Sequence, residues 1–525
     1  MRIFSAAALF VALIIGGLQS VTALERGGVM SYGRYTDSMF LDPVLNDANV
    51  DIWIMGNIYD TLIVPTDDGK GLKPGLATDW SVSPAGDVVT LKLREGVSFS
   101  DGSAMTASDV VWSFNRAKNP DNGIWHFLLA SVDTVVATDS STIQLNLKYS
   151  DPTILAALSV FNAAVMPQKL FEAMEGKTDA EKAQNFGKNP IGTGPFMLES
   201  WDRGSVMKLV KNPHYWGVGE DGQPLPYLDG VTFEVIPDDA TRILKLQSGG
   251  LDGAEFIPFA RVNELDADPE INMELYPGTR VNNVILNVRP ELNGVENPLS
   301  DELVRQAMNY ATNKQALIQV VTYGVGTPMA SFMASATPMH SGDSPLFPYD
   351  LEKAKSLLAE SAYPDGFSSS ILIIAGNQDG VAVATALQQM WGAIGIDLEI
   401  KQVDNASRTE QYRNGTFTMR TGGWTNDIAD PSQISSYYAY SPTIDAVHSG
   451  WKSDEVDELF EASQQEMDLG KRAAQFARIQ EIFNASGPTI PTYETPYPVA
   501  LRDVVHGFHQ IPLGNNVFRE VWLDK

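Results

Sequence analysis

The sequence predicts an α/β protein of two or three lobes. Three observations carry that expectation. The chain has 525 residues, 44% of them hydrophobic, and a single core stops growing near roughly 250–300 residues. Strand patterns and amphipathic helix patterns alternate along it, most clearly from Asp350 to Ile400. No cysteine occurs anywhere, so the core holds without disulfides, which small exported domains need and large ones do not.

Met1-Arg2 opens the chain with one positive charge, and an apolar run follows from Ile3 to Leu18. Val21 and Ala23 are the small residues that a signal peptidase reads, so residues 1–23 are expected to be a cleaved signal peptide. The run is short for a membrane span, and no later stretch nears about 18 uninterrupted apolar residues. Without cysteine there is no lipid anchor, no thiol nucleophile and no thiolate metal site. An exported, lipid-free protein without a stable membrane anchor fits the periplasm. The formal charge is −28, which makes nucleic acid and anionic membrane poor partners.

Val29 to Tyr35 reads as a first strand, Leu41-Asp42-Pro43 as a turn and Ile52 to Leu62 as a helix. Val88 to Leu93 alternates as a strand. Thr106 with Asp109 three residues on is an N-cap, and Val110, Val111 and Phe114 give the helix behind it an apolar face. Val132 to Val136 and Thr142 to Leu147 form a hairpin pair. Pro190-Ile191-Gly192-Thr193-Gly194-Pro195 is a turn, with no Lys-Ser or Lys-Thr pair to make a phosphate loop. Strands follow at Phe196 to Ser200, Val206 to Lys211 and Val231 to Ile236, and Ala240 to Leu246 is a short helix.

From Val281 a new unit begins. Ser300 caps a helix, with Asp301 and Glu302 in its first turn. Asp350 caps another helix, ending before Pro364-Asp365-Gly366. Ile371 to Ile374 and Ile396 to Ile400 are strands flanking a helix over Val381 to Ile394. Helices follow at Asp454 to Met467 and Lys471 to Phe483, and the tail from Thr489 to Val505 is strand-like.

Chemistry-bearing patterns are sparse. His506 and His509 are the only close pair among six histidines, a weak metal signal. No metalloprotease, nucleophile-elbow or dinucleotide motif occurs, so neither an enzyme, a cofactor nor a bound metal is expected. The informative stretch is Gly422-Gly423-Trp424-Thr425-Asn426-Asp427, which follows a short strand over Phe417 to Thr421. The glycines let another backbone come close. Asp427 stands where a strand runs out into a loop, and this carboxylate is expected to capture the charged amine of a bound solute. Trp424 beside it offers an indole face to the same cation.

Taken in order, several segments resemble one family nearly end to end. They include Asn57-Ile58-Tyr59-Asp60-Thr61-Leu62, Gly75-Leu76-Ala77-Thr78-Asp79-Trp80, Leu93-Arg94-Glu95-Gly96-Val97 and Ala107-Ser108-Asp109-Val110-Val111-Trp112-Ser113. Gly192-Thr193-Gly194-Pro195-Phe196, Asn212-Pro213 with Tyr215-Trp216, and Val304-Arg305-Gln306-Ala307 continue the series. The chain is similar to the family 5 solute-binding proteins of ATP-driven (ABC) importers, which carry dipeptides, oligopeptides and nickel complexes. The resemblance implies a two-lobed binding fold that closes on a solute. Residues 24–66, 190–280 and 492–525 would form lobe I, with a 67–189 α/β subdomain attached, and 281–491 would form lobe II. Two strands would cross between the lobes near residues 281 and 490.

In peptide-binding members an aspartate behind a Gly-Trp pair holds the peptide's ammonium, and Asp427 matches it. The backbones of Gly423 and Thr425 match the strand that pairs with the peptide, with Asn426 between the matched positions. The polar loop from Asn46 to Asn49 is the expected opposite wall, with Asn49 its site residue. Arg413 and Arg420 lie near the site in sequence as candidates for a ligand carboxylate, with no motif to choose between them. The expected function is capture of a short peptide and its delivery to the permease subunits of an ABC transporter. An opine, oligosaccharide or metal chelate on the same fold is the alternative.

Overall fold

The computed structural model describes residues 25–524 except residue 47 and residues 343–346. The expected signal peptide lies outside the described residues. Two large sheets and one smaller sheet organise the chain. The first has seven strands in the order Ile271–Tyr276, Tyr497–Arg502, Gly253–Glu255, Val29–Arg34, Gly230–Val235, Val206–Lys211 and Phe196–Asp202. Val29–Arg34 runs parallel to both of its neighbours, and the other pairs are antiparallel. The second has six strands in the order Thr327–Pro328, Thr489–Glu494, Val281–Leu286, Met419–Trp424, Phe367–Ile374 and Ile396–Val403.

Side chains of the second sheet divide by alternation, as pleating requires. Val284, Leu286, Ile371, Ile373 and Met419 pack on one face with Leu317, Leu387 and Trp391. Ile285 and Leu372 face the other way, onto Phe332, Tyr438 and Phe476. The sheet therefore lies between two helical layers, and its central strands read as apolar runs because both faces are buried. Trp391 is fully buried, with its indole N–H donating to the Thr312 hydroxyl at 3.0 Å and the Met308 carbonyl at 3.2 Å.

The third sheet orders Ala77–Val82, Val88–Leu93, Thr142–Leu147 and Val132–Asp139, all antiparallel. Helix Ala107–Ala117 packs on it, and Thr106 and Asp109 form a reciprocal capping box.

Several boundaries differ from the sequence reading, each for a local reason. The helix expected over Ile52 to Leu62 is Asn49–Met55. The carbonyls of Asn57, Ile58, Thr61 and Leu62 instead accept from Phe196, Gly194, Leu76 and Ala77, so tertiary pairing takes the groups a longer helix would use. Gly192 explains the turn there: a Cβ would stand 2.1 Å from the Ile58 carbonyl oxygen. Asp301, not Ser300, caps its helix, accepting from the Leu303 N–H at 2.9 Å. Asn377 starts the next helix earlier, at Gln378–Gly392. Asp454–Ser463 is shorter than expected and Leu469–Ser486 longer, because Asp468 caps the second helix. The strand expected at Phe417 to Thr421 is Met419–Trp424 and takes in both glycines. The tail is two strands in two different sheets, Thr489–Glu494 and Tyr497–Arg502, with residues 495–496 between them.

Candidate functional site

Strand Met419–Trp424 pairs antiparallel with Val281–Leu286, placing Val281 opposite Trp424 and Asn282 opposite Gly423. The register continues past the strand end. The Thr279 hydroxyl accepts from the Asn426 N–H at 3.0 Å and donates to its carbonyl at 3.2 Å. Arg280 is thereby opposite Thr425. On the other edge, the ladder with Phe367–Ile374 stops at Leu372 and Arg420. Beyond it, Thr421, Gly423 and Thr425 border a cavity of about 680 Å³.

Asp427 lines this cavity. Its backbone N–H donates to Gln433 Oε1 at 2.8 Å, and its carboxylate accepts from Gln433 Nε2 at 2.9 Å. No cation pairs with it among the described residues. Burial pushes the carboxyl up to about 6, against the smaller opposing effect of the Gln433 bond. A half-buried acid held by one neutral amide suits a ligand that brings a positive charge.

The other expected residues fall into two groups. Gly423, Trp424, Thr425 and Asn49 line the same cavity. Asn426 is fully buried behind it and acts as a brace, its Oδ1 accepting from the Trp424 indole N–H at 3.0 Å. Trp424 also stacks on Tyr437 at 4.1 Å and 23°, which fixes the indole plane at the cavity edge. In the polar loop, Asn49 begins helix Asn49–Met55. Asn46 is buried and structural, with its amide donating to Asp51 at 2.8 Å.

Residues missed from sequence complete the walls. Trp53 stacks on Phe256 at 5.1 Å and 19°, and Tyr497 meets Trp53 edge-on at 5.8 Å. Arg280, Asp379, Arg408 and Tyr493 also line the cavity. Arg413 is exposed at the end of helix Asn405–Arg413, and Arg420 is buried beneath the strand. The signal available was register: Arg280 immediately precedes Val281, so pairing of that strand with Trp424 sets it beside the site. Nothing local in the sequence marks Trp53 or Phe256 apart from core aromatics.

His506 stacks on Trp522, and His509 lies 3.5 Å from Asp67. No group of three or more metal-ligating side chains occurs among the described residues. No described helix is long and apolar enough to cross a membrane.

Gly514 supports the aromatic wall from behind. Its φ is +99°, and a Cβ would stand 2.1 Å from the Trp53 indole nitrogen. Gly514→Ala should cost about 1–3 kcal/mol in chemical denaturation and displace Trp53, seen as a change in tryptophan fluorescence.

Comparison with known proteins bears on the family and the fold. The family model for bacterial extracellular solute-binding proteins, family 5 (middle), matches residues 71–445. The chain is 28% identical over 493 residues to heme-binding protein A of Haemophilus influenzae, covering 89% of this chain and 87% of that one. The structure of HbpA2 from Haemophilus parasuis superposes with a TM-score of 0.83 at 25% identity, covering 95% of this chain and all of that one. The periplasmic binding protein DppA from Helicobacter pylori, solved with the peptide STSA, superposes at 0.75 with 27% identity, covering 95% and 99%. These neighbours are two-lobed α/β binding proteins. The chain belongs to the bacterial extracellular solute-binding proteins of family 5, which bind solutes for transport and are not enzymes.

Proposed function

We propose that this protein captures short peptides in the periplasm and delivers them to the permease subunits of an inner-membrane ABC importer. One observation carries the reading: a half-buried carboxylate with no cation partner among the described residues, Asp427, stands at the end of a strand edge that no described strand pairs beyond Arg420. A peptide offers both complements. Its main chain can add to the open edge, giving affinity without reading side chains. Its ammonium supplies the charge that Asp427 lacks.

The first sheet with its attached small sheet forms lobe I, and the second sheet forms lobe II. The two connections between the large sheets, at 277–280 and 495–496, support a hinge there. In this reading lobe I resumes after Glu494, close to the 492 expected from sequence. Arg280, Thr495 and Tyr497 line the cavity at these connections, so closing the lobes about them shuts the walls on the solute. Export through a leader cleaved after Ala23, with no cysteine for a lipid anchor, completes the reading.

The test is a thermal-shift screen of mature protein, residues 24–525, stripped of resident ligand by unfolding and refolding. Short peptides are compared as free and N-acetylated pairs, beside sugars, opines and metal chelates. A ligand at about 100 times its Kd adds roughly 2.7 kcal/mol. Free peptides should raise the melting temperature, and acetylation should abolish the shift. A shift only with the non-peptide solutes keeps the transport role and removes the peptide.

A further inference from the structure

A second cavity, of about 90 Å³, shares no lining residue with the cleft. It lies on the far side of the cleft's aromatic wall. Helix Asn49–Met55 presents Trp53 to the cleft and Met55 to this cavity. Gly514 backs Trp53, and Asn515 and Asn516 beside it line this cavity.

Asp60 stands in its wall, 9% exposed. Its Oδ2 accepts from the Trp216 indole N–H at 2.8 Å and from the Thr193 hydroxyl at 3.0 Å. Its Oδ1 accepts no hydrogen bond, and the carboxylate forms no ion pair, among the described residues. Burial pushes the carboxyl up to about 6, outweighing those two bonds and the weaker pull of Arg519 and Arg94. Arg519 lines the same cavity. Its Nε meets Glu520 at 3.4 Å, and its two terminal nitrogens donate to nothing among the described residues. Asp60 and Arg519 thus feel each other's charge without pairing. Two further lining groups, Asn516 Oδ1 and His509 Nε2, are buried without hydrogen-bond partners. Asp67 and Lys73, also in the lining, pair with each other at 2.6 Å.

A buried carboxylate and a guanidinium left apart are costly unless something lies between them. Charge decides what can. A lone cation meets Arg519, and a lone anion meets Asp60. A solute that carries both charges answers both. Size sets the other bound. A closed cavity of about 150 Å³ takes benzene, so this one takes a solute of about four or five non-hydrogen atoms.

We propose that this cavity is a second solute site, separate from the cleft, which binds a small free α-amino acid of the size of glycine, its ammonium on Asp60 and its carboxylate toward Arg519. The proposal stands apart from the peptide reading, because the two sites share no residue.

Calorimetric titration of the stripped mature protein tests it, at about pH 7.5, where Asp60 is ionised. The probes are glycine, methylammonium for the cationic end alone, acetate for the anionic end alone, and leucine as a zwitterion too large for the cavity. Glycine should bind at least about tenfold tighter than each of the other three. Asp60→Asn keeps an acceptor for Trp216 and Thr193, and should weaken glycine binding at least about tenfold. Val64 is half-buried and lines the cavity, so Val64→Phe should fill it and exclude glycine with every charge in place. This second variant decides the matter if Asp60→Asn does not fold. Asp427→Asn should leave glycine binding as it was, and neither Asp60→Asn nor Val64→Phe should change the response to trialanine. Three results overturn the site. One is the absence of glycine binding at about 50 mM. Another is methylammonium, acetate or leucine binding as tightly as glycine. The third is glycine binding that survives Val64→Phe or Asp60→Asn, or that Asp427→Asn removes, which places the amino acid in the cleft.

Discussion

Asp427→Asn should make the ligand-free protein more stable and its grip on free-amine peptides weaker. The two effects have one cause. Burial raises this carboxyl from 3.8 to about 6, so the folded protein holds a proton there at pH values where the unfolded chain has released it. The folded state therefore binds more protons between about pH 4 and 6, and its stability falls as pH rises through that window. Above pH 6 the ionised carboxylate costs at most about 3 kcal/mol, from roughly 1.36 kcal/mol per pH unit of displacement. Asparagine keeps the shape and the Gln433 contact without the charge. The gain in denaturation midpoint should be near zero at pH 3 and largest at pH 7.

Binding moves the other way. An ammonium against the ionised carboxylate is worth roughly 2–5 kcal/mol when one partner is removed, mostly as faster release. That is about a thirty- to four-thousand-fold loss of affinity. The unmodified protein should bind best between about pH 6, where Asp427 ionises, and about pH 8, where an α-amino group loses its proton. Affinity should fall about tenfold per pH unit on the acid side, and Asp427→Asn should flatten that limb. Titration calorimetry across pH 5–8 reads both. An acid limb that persists in the variant removes Asp427 from the ligand.

How much of this was legible beforehand depends on whether a feature is local. The capping box at Thr106 and Asp109, the hairpin at Val132 to Leu147 and the apolar strand at Ile371 are written in neighbouring residues. The helix expected over Ile52 to Leu62 failed at its far end because residues 57–62 answer to partners more than a dozen positions away. The site divides in the same way. Asp427, Trp424 and Gly423 are contiguous and could be read as a unit. Arg280, Arg408 and the Trp53–Phe256 wall come from separate parts of the chain and meet only through strand register and lobe packing. Asn426 looked like a site residue because it stands between two of them. Its Oδ1 accepts from the Trp424 indole N–H, and its buried Nδ2 has no partner among the described residues.

Three residues past Asp427 lies the contact whose loss should cost the fold most. Asp430 accepts from Arg472 Nη1 at 2.6 Å and Nη2 at 2.8 Å, and Arg472 Nε donates to the Ser463 carbonyl at 2.9 Å. Both side chains are buried. Asp430 also accepts from the Ser432 N–H at 2.8 Å, which starts helix Ser432–Tyr438 and so positions Gln433. Asp430→Ala leaves a buried guanidinium without its counter-charge and should cost about 3–5 kcal/mol, read as a lower denaturation midpoint. Exchanging both partners, as Asp430→Ala with Arg472→Met, should return most of that loss, because the pair repays its own desolvation and little more. The Ser432 N–H at the helix start still lacks its Asp430 partner in the double variant, so Gln433 is less well placed to hold Asp427 and peptide affinity should remain low while stability recovers. Recovery of both together would mean that Asp427 needs no help from this helix. Asp427→Asn and Asp430→Ala thus both weaken binding but shift ligand-free stability in opposite directions, which separates a residue that touches the solute from one that holds the loop in place.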